Sequence, residues 1–353
     1  MFKKLTLAAA SLLPLGAQAA GFDPADMSLL WGLPFACILL SIALFPLFAP
    51  KMWHHSFGKI TAAWTLLFLI PFTIVYGAGE AVHTVAHAII AEYIPFILLL
   101  WALFTVSGGI LVKGNIYGSA KTNTIILALG TVLASLMGTT GAAMLLIRPL
   151  LRANDGRKHQ VHVVVFFIFL VANIGGGLTP LGDPPLFLGF LKGVDFMWTV
   201  EHMALPVFIS SVILLVVFYA LDSHYWRKET ERKRVDPTPD SKISISGKLN
   251  FVWLLGIIAA VLMSGIWKSG VEFDILGTPV TLQNIVRDVL FIVIGILSLK
   301  TTAQEIRKAN DFDWGPILEV GKLFLGIFIT IAPVLAMLKV GMDGHFAPLV
   351  SLA

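Results

Sequence analysis

The run NIGGGLTPLGDPP, residues 173–185, breaks an otherwise apolar stretch with three consecutive glycines, one aspartate and three prolines. Gly175, Gly176 and Gly177 carry no side chain and tolerate backbone angles closed to other residues. Pro180, Pro184 and Pro185 lack an N–H and cannot continue a helix. A helix broken here leaves carbonyls free before the gap and N–H groups free after it, and Asn173, Thr179 and Asp183 add side-chain oxygens. Asp183 stands out because a carboxylate inside a bilayer is costly and by default points to function. A proton and a hard cation such as Na⁺ can compete for it, which is the minimum chemistry of cation–proton exchange. The structural alternative is that Asp183 caps the helix that restarts at Pro184, and the two roles are compatible. Asn173 and Thr179 could equally serve only to satisfy the exposed backbone.

A second irregular stretch, Ser135-Leu-Met-Gly-Thr-Thr-Gly141, lies shortly before the first. Thr139 and Thr140 are its chemistry-bearing residues, with the alternative that they bond back into their own helix. Short interrupted helices of this kind point to a secondary transporter's site at the bilayer midplane. Two adjacent breaks that can meet at one point carry the argument, and no single residue does.

The elements that must position these residues are membrane spans. Of 353 residues, 57% are hydrophobic and only 13% charged, against about 25% charged in an ordinary globular domain. Apolar runs near spanning length recur at Leu29–Phe48, Thr61–Tyr76, Ile94–Val112, Met203–Leu221, Phe251–Ile266, Val289–Leu299 and Ile317–Leu338. The fold class expected is an all-α polytopic membrane protein. The opening MFKKLTLAAASLLPLGAQAA has the basic start and small-residue cleavage pattern of a bacterial signal peptide over residues 1–19, which places the chain in the bacterial inner membrane with its mature end outside.

Counting crossings from there, Ile125–Ile147 has basic residues on both flanks. The positive-inside rule then favours a hairpin over 122–148 that enters and returns, rather than a span. Residues 161–191 form the broken helix and close a first repeat over 27–222. A cytoplasmic linker, 223–249, leads to a second repeat over 250–353, with Lys192, Lys268 and Arg287 left in outer loops. Irregular backbone at membrane depth is tolerated only when buried in protein or lining a watery cavity.

NIGGGLTPLGDPPLF resembles the ion-transporter superfamily, and GTTGAAMLLIRPLLRAN resembles the hairpin arm of its sodium:proton antiporter and citrate-transporter (CitMHS-like) branches. EYIPFILLLWALFTVSGGI is similar to the helix that precedes that arm. The resemblance implies inverted repeats, each with a re-entrant hairpin and a discontinuous helix, usually in a homodimer. It also implies that Thr139, Thr140, Asn173, Gly176, Thr179 and Asp183 build an ion and substrate site, with Asp183 and Asn173 as Na⁺ ligands. A second hairpin and broken helix should follow Leu338, and their absence before Ala353 reads as a C-terminal truncation.

Four functions compete. Sodium/proton antiport leads, since no lysine or arginine lies within the two breaks. Cation-coupled uptake of citrate or a related carboxylate is the alternative, because helix N-termini can also serve an anion. A non-transporting remnant is the third. An intramembrane aspartyl protease is disfavoured because it needs two carboxylates sharing a proton, and no second acid lies inside a predicted span. Glu80, His83 and His87 share a helical face that could hold a metal but reads better as an interfacial polar face. No cofactor is expected beyond Na⁺ and H⁺ as transported or coupling ions, and no nucleic-acid partner; the expected partner is the lipid bilayer.

Overall fold

The computed structural model of the protein describes residues 27–114, 116–229, 243–344, 346, 347 and 351. The expected signal peptide and residues 230–242 of the expected linker lie outside them. Among the described residues nine helices are long and apolar enough to cross a membrane, and the chain is an all-α polytopic membrane protein. It divides into two compact units, residues 1–82 with 329–353, and residues 83–328.

In the first unit, α1 (Leu33–Phe48) and α2 (Pro50–Tyr76) form an antiparallel pair. Pro50 opens α2 at its first position, where a missing N–H costs nothing. Trp31 packs against Phe68, Phe72 and Tyr76 at one end, and Phe45 stacks on Trp53 at the other. The outer faces of both helices remain apolar and exposed, as lipid contact requires.

The second unit holds both sequence breaks. Helix α3 (Ala78–His87) continues through a π-helical turn, Ala88–Tyr93, into α4 (Ile94–Ser107). The predicted span began at Ile94, whereas the helix begins sixteen residues earlier, at Ala78, and draws Glu92 inside. Helix α4 is buried along most of its length and forms the centre of the unit. After strand β1 (Leu111–Lys113), helices α5 (Ala120–Met137) and α6 (Thr139–Asn154) make the hairpin.

The broken helix follows as α7 (Val161–Leu170), a 3₁₀ turn over Ile174–Leu178, and α8 (Pro184–Leu191). Helix α9 (Phe196–Lys228) is long and mostly lipid-facing, with Asp195 accepting the Met197 N–H as its cap. The expected linker therefore starts later than residue 223, and it ends in strand β2 (Ser244–Ser246), paired antiparallel with β1. The remaining spans are α10 (Leu249–Ile266), α11 (Leu282–Thr301) and, after the short α12 (Gln304–Ala309), α13 (Gly315–Lys339).

Between α10 and α11 lies a hairpin of β3 (Glu272–Ile275) and β4 (Thr278–Thr281). Its turn residues Leu276 and Gly277 both have positive φ, the geometry that suits a two-residue connection. Within this unit α13 runs antiparallel to α4, with Phe312 and Trp314 on Phe104, and Phe324 and Phe328 on Phe96.

Candidate ion and substrate site

Helices α5 and α6 are joined by Gly138 alone, whose φ of 77° and ψ of 153° few residues other than glycine adopt. The chain turns back there, and its two ends meet at a common foot. Gly118 N–H donates to Ala153 O at 2.9 Å, and the Asn123 and Asn154 amides bond each other reciprocally at 2.9 Å. Both basic flanks thus emerge at one end, the arrangement that the distribution of lysine and arginine favoured.

A buried charge cluster locks this foot. Asp222 of α9 is fully buried and takes bonds from Arg157 Nη2 at 2.5 Å and Asn123 Nδ2 at 2.9 Å, with His162 Nε2 at 2.7 Å. Asp222 was expected just beyond its span, and Glu92 before its own. The structure puts both inside helices long and apolar enough to cross a membrane, so both must be weighed as partners for Asp183. Neither is a proton-sharing partner for it, since each carboxylate is engaged by a cation, Arg157 for Asp222 and Lys192 for Glu92.

The tip of the hairpin is bonded to the break. Thr139 N–H donates to Gly182 O at 3.1 Å. The Ser135 hydroxyl donates to Gly175 O at 2.6 Å, and the Thr179 hydroxyl donates to Ser135 O. Glycines make this approach possible. A Cβ on Gly182 would stand 2.2 Å from Gly176 O, one on Gly176 2.6 Å from Thr139 Cγ2, and one on Gly175 2.5 Å from Thr131 O. Thr139, Gly176 and Thr179, named from the sequence, therefore converge at one junction.

Asn173 does not join them. It is exposed, and its amide donates back to Ile168 O at 2.8 Å, the backbone-satisfying role weighed for it above. No hydrogen bond or ion pair links it to Asp183 among the described residues. Asp183 is half-buried at the N-cap of α8. Its carboxylate makes no capping bond and has no ion-pair or hydrogen-bond partner among the described residues. The role of side-chain cap is thus not taken up, and the carboxylate is available to a cation or proton.

The two helix starts at this junction differ as anion sites. Free N–H groups were expected at the start of α8, and the structure corrects this. Pro184 and Pro185 have none, and the Leu186 and Phe187 N–H groups already bond Asp183 O at 3.1 and 3.2 Å. The start of α6 is better equipped. Its sixteen residues supply a macrodipole pointing positive at the tip. The N–H groups of Thr140 and Gly141 sit in the first turn, where no intrahelical acceptor exists. Thr140 is exposed and Thr139 partly so.

Ser107, which sequence reasoning passed over, is fully buried against this turn. Its Oγ has no hydrogen-bond partner and stands 2.4 Å from where a Gly141 Cβ would be. Only this packing distinguishes it from other serines, and no sequence signal could have found it. Glu80, His83 and His87 lie on one helix, exposed or half-exposed, with His83 Nε2 at 3.2 Å from Gly277 O and His87 Nδ1 at 3.7 Å from Glu92. Among the described residues no group of three metal-ligating side chains forms.

An apolar groove of about 740 Å³ runs beside the junction between α5 and α9, lined by Thr131, Leu136, Leu178, Phe208 and Leu215. Its lining carries no charged side chain, and its polar groups are the hydroxyls of Thr131, Ser135, Thr179 and Ser211.

A protein family described as "Putative citrate transport" matches residues 24–353. No curated protein and no solved structure matches the chain.

Proposed function

The chain belongs to this citrate-transport family, whose members are transporters rather than enzymes, and we propose that it carries a citrate-like carboxylate across the membrane by coupling to a cation. The observation that carries the proposal is the bonded junction of hairpin tip and broken helix, with the α6 N-terminus as its anion-facing element and Asp183 as its cation-facing one. No lysine or arginine lies in residues 131–147 or 173–191. A polycarboxylate bound there must therefore be neutralised by helix N-terminal dipoles and accompanying cations. Desolvating an anion without such compensation costs several kcal/mol, which makes coupling a physical requirement of the site rather than an addition to it.

The unpartnered Asp183 carboxylate also supports a second reading, sodium/proton antiport without an organic substrate. Proteoliposomes containing the purified chain separate the two. Labelled citrate should accumulate when an inward Na⁺ or H⁺ gradient is imposed and not otherwise. Release of a pH gradient by Na⁺ in the absence of citrate, with no citrate uptake, would favour exchange.

A further inference from the structure

At the end of α9 remote from Asp222, roughly 39 Å away at ~1.5 Å per residue, a recess of about 350 Å³ lies between α8, the start of α9, the end of α10 and the start of α11. That is within the size range that holds small ligands. Its polar lining includes Asp195, Ser264, Lys268, Thr281 and Arg287. Arg287 was expected in an outer loop. Instead it sits in the second turn of α11, 1% exposed, the largest fully buried side chain among the described residues.

Its neighbours occupy only part of the guanidinium. Nε donates to Asp288 Oδ1 at 2.9 Å and Nη1 to Asn284 Oδ1 at 3.1 Å, and the Phe187 ring lies 5.9 Å from Cζ. Nη2 is ion-paired to Asp288 Oδ1 at 2.9 Å but off the angle of a hydrogen bond, and the buried Thr281 Oγ1 has no hydrogen-bond partner. Buried donors left unpaired cost about 1–3 kcal/mol each, more when charged, and native structures rarely keep them so. Here Thr281 and Arg287, whose Nη2 keeps its ion pair but no hydrogen bond, line one recess, and Lys268 stands at its exposed rim with no ion pair among the described residues. Asp195 is turned to another task, accepting the Met197 N–H at 2.7 Å.

We propose that this recess is a docking site for a small polycarboxylate anion, one carboxylate group taking Arg287 Nη2 and the Thr281 hydroxyl while Lys268 meets a second. The site is separate from the junction, and the choice of a polycarboxylate over another anion rests on the transport reading above. Phe187, which carries the guanidinium on its face, lies in the first turn of α8 after Asp183. An anion here therefore loads next to the half-helix that opens at Asp183.

The test uses the full chain with Cys37→Ser and Met197→Cys, since Met197 lines the recess and is 48% exposed. Alkylation of the new cysteine by a maleimide is timed with citrate, inorganic phosphate or neither, and citrate uptake is measured on the same preparation. Citrate should slow alkylation and phosphate should not. The citrate concentration giving half protection should rise roughly tenfold or more in Arg287→Gln, as loss of a charge-assisted bond implies. Lys268→Gln, at the rim, gives a smaller rise and keeps the test open should Arg287→Gln not fold.

Uptake without protection would overturn the recess and leave the transport reading standing. Protection without uptake would do the reverse. Equal protection by phosphate would overturn the polycarboxylate assignment, and neither uptake nor protection would overturn both.

Discussion

Replacing Gly182 with alanine tests the junction at its tightest point. The added methyl would lie 2.2 Å from Gly176 O and 2.8 Å from both Gly176 C and Cα, all of them backbone atoms that cannot swing aside. Real Cβ contacts essentially never fall below 3.0 Å, so the two sides of the break must part by about 0.8 Å or more. Gly182 O is also the acceptor of the Thr139 N–H, so the displacement passes directly to the hairpin tip. Overpacking of this kind costs ~1–3 kcal/mol in stability. Misplacing a working group by about 1 Å can cost ~100-fold in rate. Citrate uptake by Gly182→Ala in proteoliposomes should therefore fall at least tenfold while the protein still purifies folded, with a modest drop in unfolding temperature. Gly79→Ala is the control, because a Cβ there meets nothing within 4 Å. Equal uptake by the two variants would refute the claim that this close approach sets the site.

Asp222→Asn should destabilise the hairpin foot strongly, since it leaves Arg157 buried without its counter-charge. The expected loss is about 3–5 kcal/mol, read as a lower unfolding temperature in detergent. Asp183→Asn should leave that temperature unchanged, because the carboxylate has no partner to lose, yet abolish the dependence of citrate uptake on the cation gradient. Lys192→Met should destabilise more than Glu92→Gln. The first leaves a carboxylate that is 6% exposed with only His87, 3.7 Å away, beside it, whereas the second leaves an ammonium that is 30% exposed and can reach solvent.

The breaks were legible in the sequence because glycine and proline impose their constraints locally, whatever surrounds them. The tip was confined to Ser135–Gly141 and the second break to the run from Asn173 to Pro185. The hairpin's direction was legible for another local reason, the basic residues on both of its flanks. Span ends were read less well. The apolar run Val289–Leu299 leaves out Gln283 and Arg287, which are nonetheless buried in α11, and the half-buried Asn284. Hydropathy sees the side chain and not the neighbour that shelters it, so Arg287 was assigned to a loop, and Glu92 and Asp222 were left outside their helices. The spent N–H groups of α8 are a different case. Two prolines in sequence already announce two missing donors, but that Asp183 O takes the next two N–H groups follows only from the backbone geometry. Convergence of Thr139, Gly176 and Thr179 was expected from the adjacency of the two breaks, whereas Asn173 turned away because Ile168 O lay within its reach.

The central claim is that a carboxylate meets this protein at the hairpin tip, and Thr140 is the exposed residue there. In a chain carrying Cys37→Ser and Thr140→Cys that still takes up citrate, the rate of alkylation at residue 140 should fall as citrate is raised, over the same concentration range that saturates uptake. An alkylation rate indifferent to saturating citrate in that transporting variant would place the substrate elsewhere and contradict the account.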